Sequence, residues 1–484
     1  MNTSAQRQKM TNYRWVICLM LFFATTINYM DRQVLSLTWV DFIAPEFGWT
    51  NGDYGNITSL FSIFYAISML FAGRFVDWLG TKKGFLWAIG IWSLGACLHA
   101  FCGIATAGIV AGEGTFSFAH AREAIVALGV TSRVVSVSVT LFVFARIVLA
   151  LGEAGNFPAA IKATAEYFPK KDRGFATSLF NSGAQIGALI APLTIPFIAK
   201  AWGWETSFLV IGALGFVWMG FWQFLYKKPE RNPRVNRAEL DYILQDSESP
   251  SPAEEQVEAA QEKKLTFAQC FRFRQTWAFA AGKFLTDGVW WFYLFWTPAY
   301  LSSVYGMTGT EVSLPIFVLY LITMLSIWGG WLPTYFVDKK RMNPYAGRMR
   351  AMLIFALFPL LALLAQPLGA YSYWLPVIII GIAGAAHQAW SANLFSTIGD
   401  MFPKSAVATI TGIGGMVGGI GSFLINKGSG VLFDYSQNTG MRFMGFEGIN
   451  SGYFIIFSIC AVAYLVGWLL MKGLVPKYKA ITIE

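Results

Sequence analysis

Long apolar runs alternate with short polar breaks along almost the whole chain. Crossing about 30 Å of hydrocarbon takes a helix of roughly 20 mostly apolar residues. Such runs cover residues 15–40, 54–76, 84–104, 137–164, 175–199 and 207–225; a second set covers 277–304, 313–336, 351–368, 374–398, 407–432 and 452–470. The pattern predicts an all-α membrane protein with twelve transmembrane helices in two pseudo-symmetric six-helix bundles, residues 1–226 and 277–484. Between them, 227–276 is rich in Pro, Glu, Lys, Arg and Ser and reads as a solvated cytoplasmic loop. Within it, Asn236-Arg-Ala-Glu239 has the form of a cap opening a short helix. The stretch 105–134, before the fourth run, is too polar for a clean span and reads as an external loop with an interfacial helix over 119–128.

Composition agrees. The chain is 55% hydrophobic and 13% charged, against about 25% charged in a typical soluble domain. Lipid must therefore solvate much of it. The net charge of +9 raises the question of nucleic acid, but its placement answers it. Arg7, Lys9, Arg14, Lys82, Lys83, Lys170, Lys171, Arg173, Lys339, Lys340, Arg341, Arg348, Arg350, Lys472, Lys477 and Lys479 fall at alternate ends of the runs. Basic residues mark the cytoplasmic side, so both termini are expected inside and no nucleic-acid partner is needed. The first run ends in Asp31-Arg32 rather than at small residues, and reads as a membrane helix, not a cleaved leader. The five cysteines have no zinc or disulfide spacing, and neither His-Glu-x-x-His nor a nucleophile elbow occurs. No metal, no cofactor and no enzyme activity are expected. With no appended signalling domain in the sequence, a membrane receptor is the weaker alternative to a transporter.

After the second run the chain reads Gly73-Arg-Phe-Val-Asp77-Trp-Leu-Gly80-Thr-Lys82-Lys83. Glycines let helices approach closely, the acid suits a helix N-terminus or an arginine partner, and the lysines hold the turn inside. Gly329-Gly330 through Asp338-Lys-Lys is a loose echo after the eighth run, as related halves require. The six glycines of 412–421 read as tight helix packing.

Ionisable groups deep in a span cost several kcal/mol unless paired or hydrated. The first run holds Asn28-Tyr29-Met30-Asp31-Arg32, and the fourth holds Arg146 and Glu153, seven positions apart and so on one helix face. Arg32 and Arg146 are the candidates for attracting an anionic substrate, because a guanidinium fork matches a carboxylate. Asp31 and Glu153 are the candidates for carrying protons, since burial and a nearby arginine push a carboxyl in opposite directions. Tyr29, Asn28, Tyr65, Asn181, Gln185, His387, Gln388, Ser391 and Asn393 are polar positions that could shape a pocket for a hydroxylated molecule. Each is equally suited to an interhelical hydrogen bond. Lys283 and Asp287 are expected to pair with each other, Trp290, Trp291 and Trp296 to pack, and Lys427 to snorkel.

The Gly73–Lys83 stretch resembles the loop that marks the major facilitator superfamily. Asn28-Tyr-Met-Asp-Arg32, Arg146-x6-Glu153-Ala-Gly-Asn-Phe-Pro158 with Tyr167-Phe-Pro169, and Thr286-Asp-Gly-Val-Trp-Trp-Phe-Tyr-Leu-Phe-Trp296 resemble its anion:cation symporter family. Ala386-His-Gln-Ala-Trp-Ser-Ala-Asn-Leu-Phe395, followed by Asp400-Met-Phe-Pro403, resembles the bacterial hexuronate transporters. The resemblance implies proton-coupled import of a sugar acid by alternating access, in a monomer of the bacterial inner membrane. It implies proton sites at Asp31 and Glu153. It implies substrate contacts from Tyr29, Arg32, Tyr65, Gln185, Ser391 and Asn393, with Arg146 tuning Glu153 or the anion. Gly73, Asp77, Gly80 and Lys82 would gate. The alternatives are another organic anion (aldonate, aldarate or dicarboxylate) and exchange in place of symport. Two departures stand out: Gly288 occupies a place where proline is expected, and the 105–134 segment is absent from many relatives.

Overall fold

A computed structural model describes residues 9–245, 266–402, 404–479 and 481. Much of the polar connector, 246–265, and the expected basic position Arg7 lie outside the described residues. The fold is all-α apart from one small hairpin near the last helix, β1 (Arg442–Phe443) paired antiparallel with β2 (Phe446–Glu447). Ten helical segments among the described residues are long and apolar enough to cross a membrane. Large side chains such as Leu19, Phe71, Phe144, Phe221 and Leu469 stand exposed on their outer faces, where lipid rather than water suits them. The chain thus folds as a multi-pass membrane protein.

The helices run α1 (Arg14–Thr38), α2 (Asn51–Leu79), α3 (Thr81–Ala111), α4 (Phe118–Leu128), α5 (Ser132–Glu153), α6 (Asn156–Tyr167), α7 (Lys170–Trp202) and α8 (Trp204–Leu225). The connector contributes α9 (Arg237–Ile243). Then come α10 (Arg274–Tyr305), α11 (Ser313–Thr323), α12 (Trp328–Asp338), α13 (Pro344–Leu357), α14 (Trp374–Met401), α15 (Lys404–Thr439) and α16 (Ile449–Leu474). Helices α1 and α10, 25 and 32 residues long, are not among the ten apolar segments. Their runs are interrupted by Asn28, Asp31, Arg32 and Gln33 in one and by Lys283 and Asp287 in the other.

Local chemistry sets the ends. Thr50 and Asp53 form a capping box that starts α2. Gly80, at φ +76, turns the chain between α2 and α3. The expected fourth span, 137–164, falls within one apolar helical segment, Ser132–Tyr167, which is kinked at Ala154–Gly155 where α5 gives way to α6. Pro158 lacks an N–H and its ring would clash with the carbonyl four residues back, at Ala154. The expected external loop at 105–134 is shorter than its polarity suggested. The α3 helix continues to Ala111, α4 fills 118–128, and α5 begins at Ser132. Arg122 on α4 bonds to Glu46 Oε2 at 3.1 Å and Glu205 Oε1 at 2.8 Å, which pins α4 to the ends of its neighbours.

Helix α2 packs along α15, and α1 packs on α7 and α8. The α2–α15 seam is tight at its Asn51 end, where Gly55 and Gly430 face each other. A Cβ on Gly430 would meet Asn51 O at 2.5 Å and Gly55 Cα at 3.1 Å. The seam loosens toward the other end, where Cβ atoms on Gly415 and Gly412 of α15 would approach only the Met69 and Leu70 side chains, at 3.8 and 3.9 Å. Tyr54 donates to Phe295 O at 2.8 Å, the Gly309 N–H donates to Asp41 at 2.9 Å, and the Trp39 ring stacks on Tyr54 at 4.1 Å, all at the tight end. Lys427, expected to snorkel, instead donates to Asn56 across the same seam.

Candidate functional site

Arg32 organises the interior. Its Nε donates to Glu153 Oε2 at 2.7 Å, joining α1 to the end of α5. Three aromatic rings surround its guanidinium: Tyr29 at 5.1 Å, Tyr65 at 4.7 Å and Trp291 at 5.2 Å. Cation–π contacts of this kind keep a buried guanidinium charged. They also draw on three helices, α1, α2 and α10. The site therefore sits where the two sets of helices meet.

Arg146 is 2% exposed and lies 5.3 Å from the Phe61 ring. Asp31, fully buried, lies within electrostatic reach of Glu153, Arg146 and Arg32. Both Asp31 oxygens, Glu153 Oε1 and the Arg146 Nε and Nη1 atoms are buried with no hydrogen-bond partner among the described residues. Buried polar atoms are normally satisfied, and each exception asks for an explanation. Their concentration around two carboxyls and two guanidiniums singles this place out as the candidate site. All four expected charged residues are thus brought together, and Tyr29 and Tyr65 with them.

The other expected contacts are placed differently. Gln185 on α7 accepts from Thr323 at 3.2 Å, bridging to α11. Ser391 is half-buried on α14. The Asn393 amide donates to Gly329 O at 3.1 Å and Ala389 O at 2.8 Å, so it ties α14 to the start of α12. His387 lies 2.8 Å from the Tyr464 hydroxyl with its ring stacked on Trp290 at 5.3 Å, a packing role. Lys283 and Asp287 pair at 2.5 Å. Gly288 has the α15 backbone against it: a Cβ there would meet Gly421 O at 3.0 Å. In the marked loop, Asp77 pairs with Lys162 at 2.7 Å and Lys82 donates to Gln223 O at 2.7 Å.

The Trp291 contact with Arg32 was not expected: Trp290, Trp291 and Trp296 of α10 are expected to pack, with stacking on a sugar ring as the lesser alternative. The available signal was its helical spacing. Positions 283, 287 and 291 share one face of α10, so a charged pair and an aromatic ring look the same way.

A bundle of long helices around a central constellation of buried charges is the architecture of a membrane transporter. The chain belongs to the Major Facilitator Superfamily, whose profile matches residues 21–425. It is 28% identical over 482 residues to the hexuronate transporter of Escherichia coli strain K12, covering 98% of this chain and 97% of that one. It is 27% identical over 459 residues to a probable galactarate/D-glucarate transporter of the same strain, covering 92% and 94%. Among solved structures, a bacterial homolog of the human lysosomal transporter Spinster, in an inward-facing and unoccupied conformation, superposes with a TM-score of 0.68 at 18% identity, covering 95% of this chain and 97% of that one. That likeness is one of fold.

Proposed function

We propose that this protein is a secondary active transporter that imports a hexuronate, such as glucuronate or galacturonate, by proton symport with alternating access. The observation that carries the reading is Arg32, held by Glu153 and ringed by aromatic side chains from three helices. A guanidinium in such a box binds a carboxylate, and aromatic faces suit the C–H face of a sugar. The relatives named above, transporters of hexuronate and of galactarate or glucarate, support the sugar-acid class.

The spans number twelve on this reading, with α1 and α10 counted as the first and seventh. Residues 1–226 and 277–484 form the two six-helix halves, joined by the connector 227–276. Both termini face the cytoplasm of a bacterial inner membrane, so the tight Asn51 end is outermost and the site opens inward. The working unit is a monomer, and protons are its coupling ion.

Tyr29, Arg32, Tyr65, Arg146, Gln185, Ser391 and Asn393 line the path of the substrate. Asp31 and Glu153 take up protons from the outside. A proton on Glu153 frees Arg32 for the substrate carboxylate, and its release inward lets Glu153 recapture Arg32. Gly73, Asp77, Gly80 and Lys82 close the inner end in the alternate state. Coupling matters energetically: at about 100 mV inside-negative, each entering negative charge costs about 2.3 kcal/mol, which one accompanying proton cancels.

The test is uptake of labelled glucuronate into vesicles under an imposed pH gradient, then with an uncoupler. Gradient-driven accumulation that collapses with the uncoupler is expected. Uptake indifferent to the gradient removes the coupling. A second reading, an aldarate as substrate, is favoured by the galactarate/D-glucarate relative; uptake of glucarate but of no hexuronate would establish it.

A further inference from the structure

One charged pair of the interior has no part in the mechanism above. Lys283 and Asp287 sit one turn apart on α10, Nζ to Oδ2 2.5 Å, with side chains 7% and 15% exposed. Trp291, one further turn along the same face, is the ring that closes over Arg32. Asp287 therefore lies about 6 Å along the helix axis from Trp291. It is also within electrostatic reach of Tyr29 on α1. Behind the pair, a Cβ on Gly418 of α15 would meet Asp287 Oδ2 at 2.3 Å, and the Phe395 ring lies 4.5 Å from Lys283 Nζ. Thus α15 packs against Asp287 and α14 against Lys283, while Trp291 on the same face and Tyr29 on α1 set the pair beside the Arg32 box.

We propose that Lys283 and Asp287 form the distal subsite of the substrate cavity, and that Asp287 selects a polyhydroxylated monocarboxylate over a dicarboxylate. The inference rests on the sugar-acid reading and decides between its two substrate classes. The pair is neutral overall and offers ammonium donors beside carboxylate acceptors. A hydroxyl both donates and accepts, so the hydroxylated end of a hexuronate satisfies both partners. A second carboxylate accepts from Lys283 but then faces Asp287. Specificity is commonly made by such a like charge set against the wrong ligand.

The test uses the full-length protein in liposomes, measuring counterflow of labelled glucuronate with unlabelled glucuronate or glucarate as competitor. Wild type is expected to prefer glucuronate. Asp287→Asn leaves Lys283 unbalanced and should shift the competition ratio toward glucarate by roughly tenfold, about 1.4 kcal/mol. Asp287→Glu should keep the wild-type ratio. Lys283→Gln, which leaves Asp287 unbalanced, should shift the ratio the opposite way and keeps the proposal testable if Asp287→Asn does not fold. An active Asp287→Asn variant with an unchanged ratio, or Lys283→Gln moving the ratio toward glucarate, overturns this inference alone. Wild type that takes up neither acid overturns the sugar-acid reading and this inference with it.

Discussion

Asp434 on α15 closes the Asn51 end of the α2–α15 seam, the outer end in the proposed topology. It accepts from the Asn51 N–H at 2.9 Å, from the Gly52 N–H at 2.6 Å and from Asn51 Nδ2 at 3.2 Å. The two backbone donors belong to the first turn of α2, where N–H groups lack intrahelical partners and the helix dipole is positive. Asp434→Asn keeps the size and one acceptor oxygen but removes the charge. Hydrogen bonds to a charged group are worth about 1.5–3 kcal/mol net and neutral ones about 0.5–1.5. With Asp434 half-buried, solvent screening reduces the difference, and the loss over two donors is about 2 kcal/mol. At 1.4 kcal/mol per factor of ten, the outward-open population rises roughly 30-fold.

The reporter for that shift is Ser62. It is 2% exposed, and its Oγ lies 2.9 Å from Ser422 Oγ across the α2–α15 seam. Ser62→Cys is a small change. In a background with the five native cysteines replaced, it should react with an impermeant thiol reagent from outside only when the seam parts. Labelling roughly 30-fold faster in Asp434→Asn is expected by the population-shift arithmetic. An unchanged rate, in a variant whose thermal unfolding matches the parent, would refute the assignment of Asp434 as an outer latch.

Glu153→Gln cannot release a proton; it should spare substrate exchange in liposomes but abolish accumulation driven by a pH gradient, and retained accumulation excludes Glu153 as the essential carrier. Arg122→Ala leaves two carboxylates, Glu46 and Glu205, buried without their common cation. Allowing for the 40% exposure of Arg122, the loss is about 1–2 kcal/mol of a buried pair's 3–5, visible as a lower thermal midpoint and faster proteolysis around α4; an unchanged midpoint and digestion pattern would show α4 to be held by other contacts. Glu239 on α9 anchors the connector to the start of α1. Burial pushes its carboxyl up, but hydrogen bonds from the Arg14 and Tyr13 N–H groups, Thr11 and the Arg14 side chain outweigh this and hold it below the usual range. A depressed carboxyl stabilises docking above its undocked value, about 4.3, and that support is lost as pH falls through the docked value. The protection factor of the α9 amides, with the intrinsic rate at each pH divided out, should therefore fall in acid, and protection unchanged between neutral pH and about pH 3.5 would refute the anchor.

The bundle was legible because lipid enforces length and apolarity on each helix. The ten apolar helical segments fall on ten of the expected runs. What the runs concealed were breaks with local causes. The turn after Glu153 follows from Pro158 four positions past Ala154, a signal smaller than the hydropathy around it. In 105–134, small residues read as polar, yet Ile104–Ala111 continued as helix until Gly112 adopted φ +73. The four interior charges were legible because a membrane makes each of them expensive. Partners across the helices were not. Nothing in the order of residues ties Trp291 to Arg32 or turns the Asn393 amide to Gly329, because those contacts depend on how α10 and α14 are rotated about their axes.

The geometry around Arg32 also bears on why proton and substrate would be coupled at all in the proposed cycle. One guanidinium serves both: Glu153 holds Nε at 2.7 Å, and the incoming carboxylate needs the same cation. Two ionised carboxylates about 4 Å apart repel by about 4 kcal/mol at an effective dielectric of 20. An ionised Glu153 thus excludes the substrate, and a protonated one admits it. Linkage is reciprocal, so bound substrate must favour the protonated carboxyl by the same free energy. In the proposed cycle Asp31, whose oxygens have no hydrogen-bond partner among the described residues, takes a second proton without competing for the Nε of Arg32. On the proposed mechanism the pair divides the work: Glu153 makes binding depend on protons, and Asp31 adds the charge that makes entry of a monocarboxylate favourable on voltage.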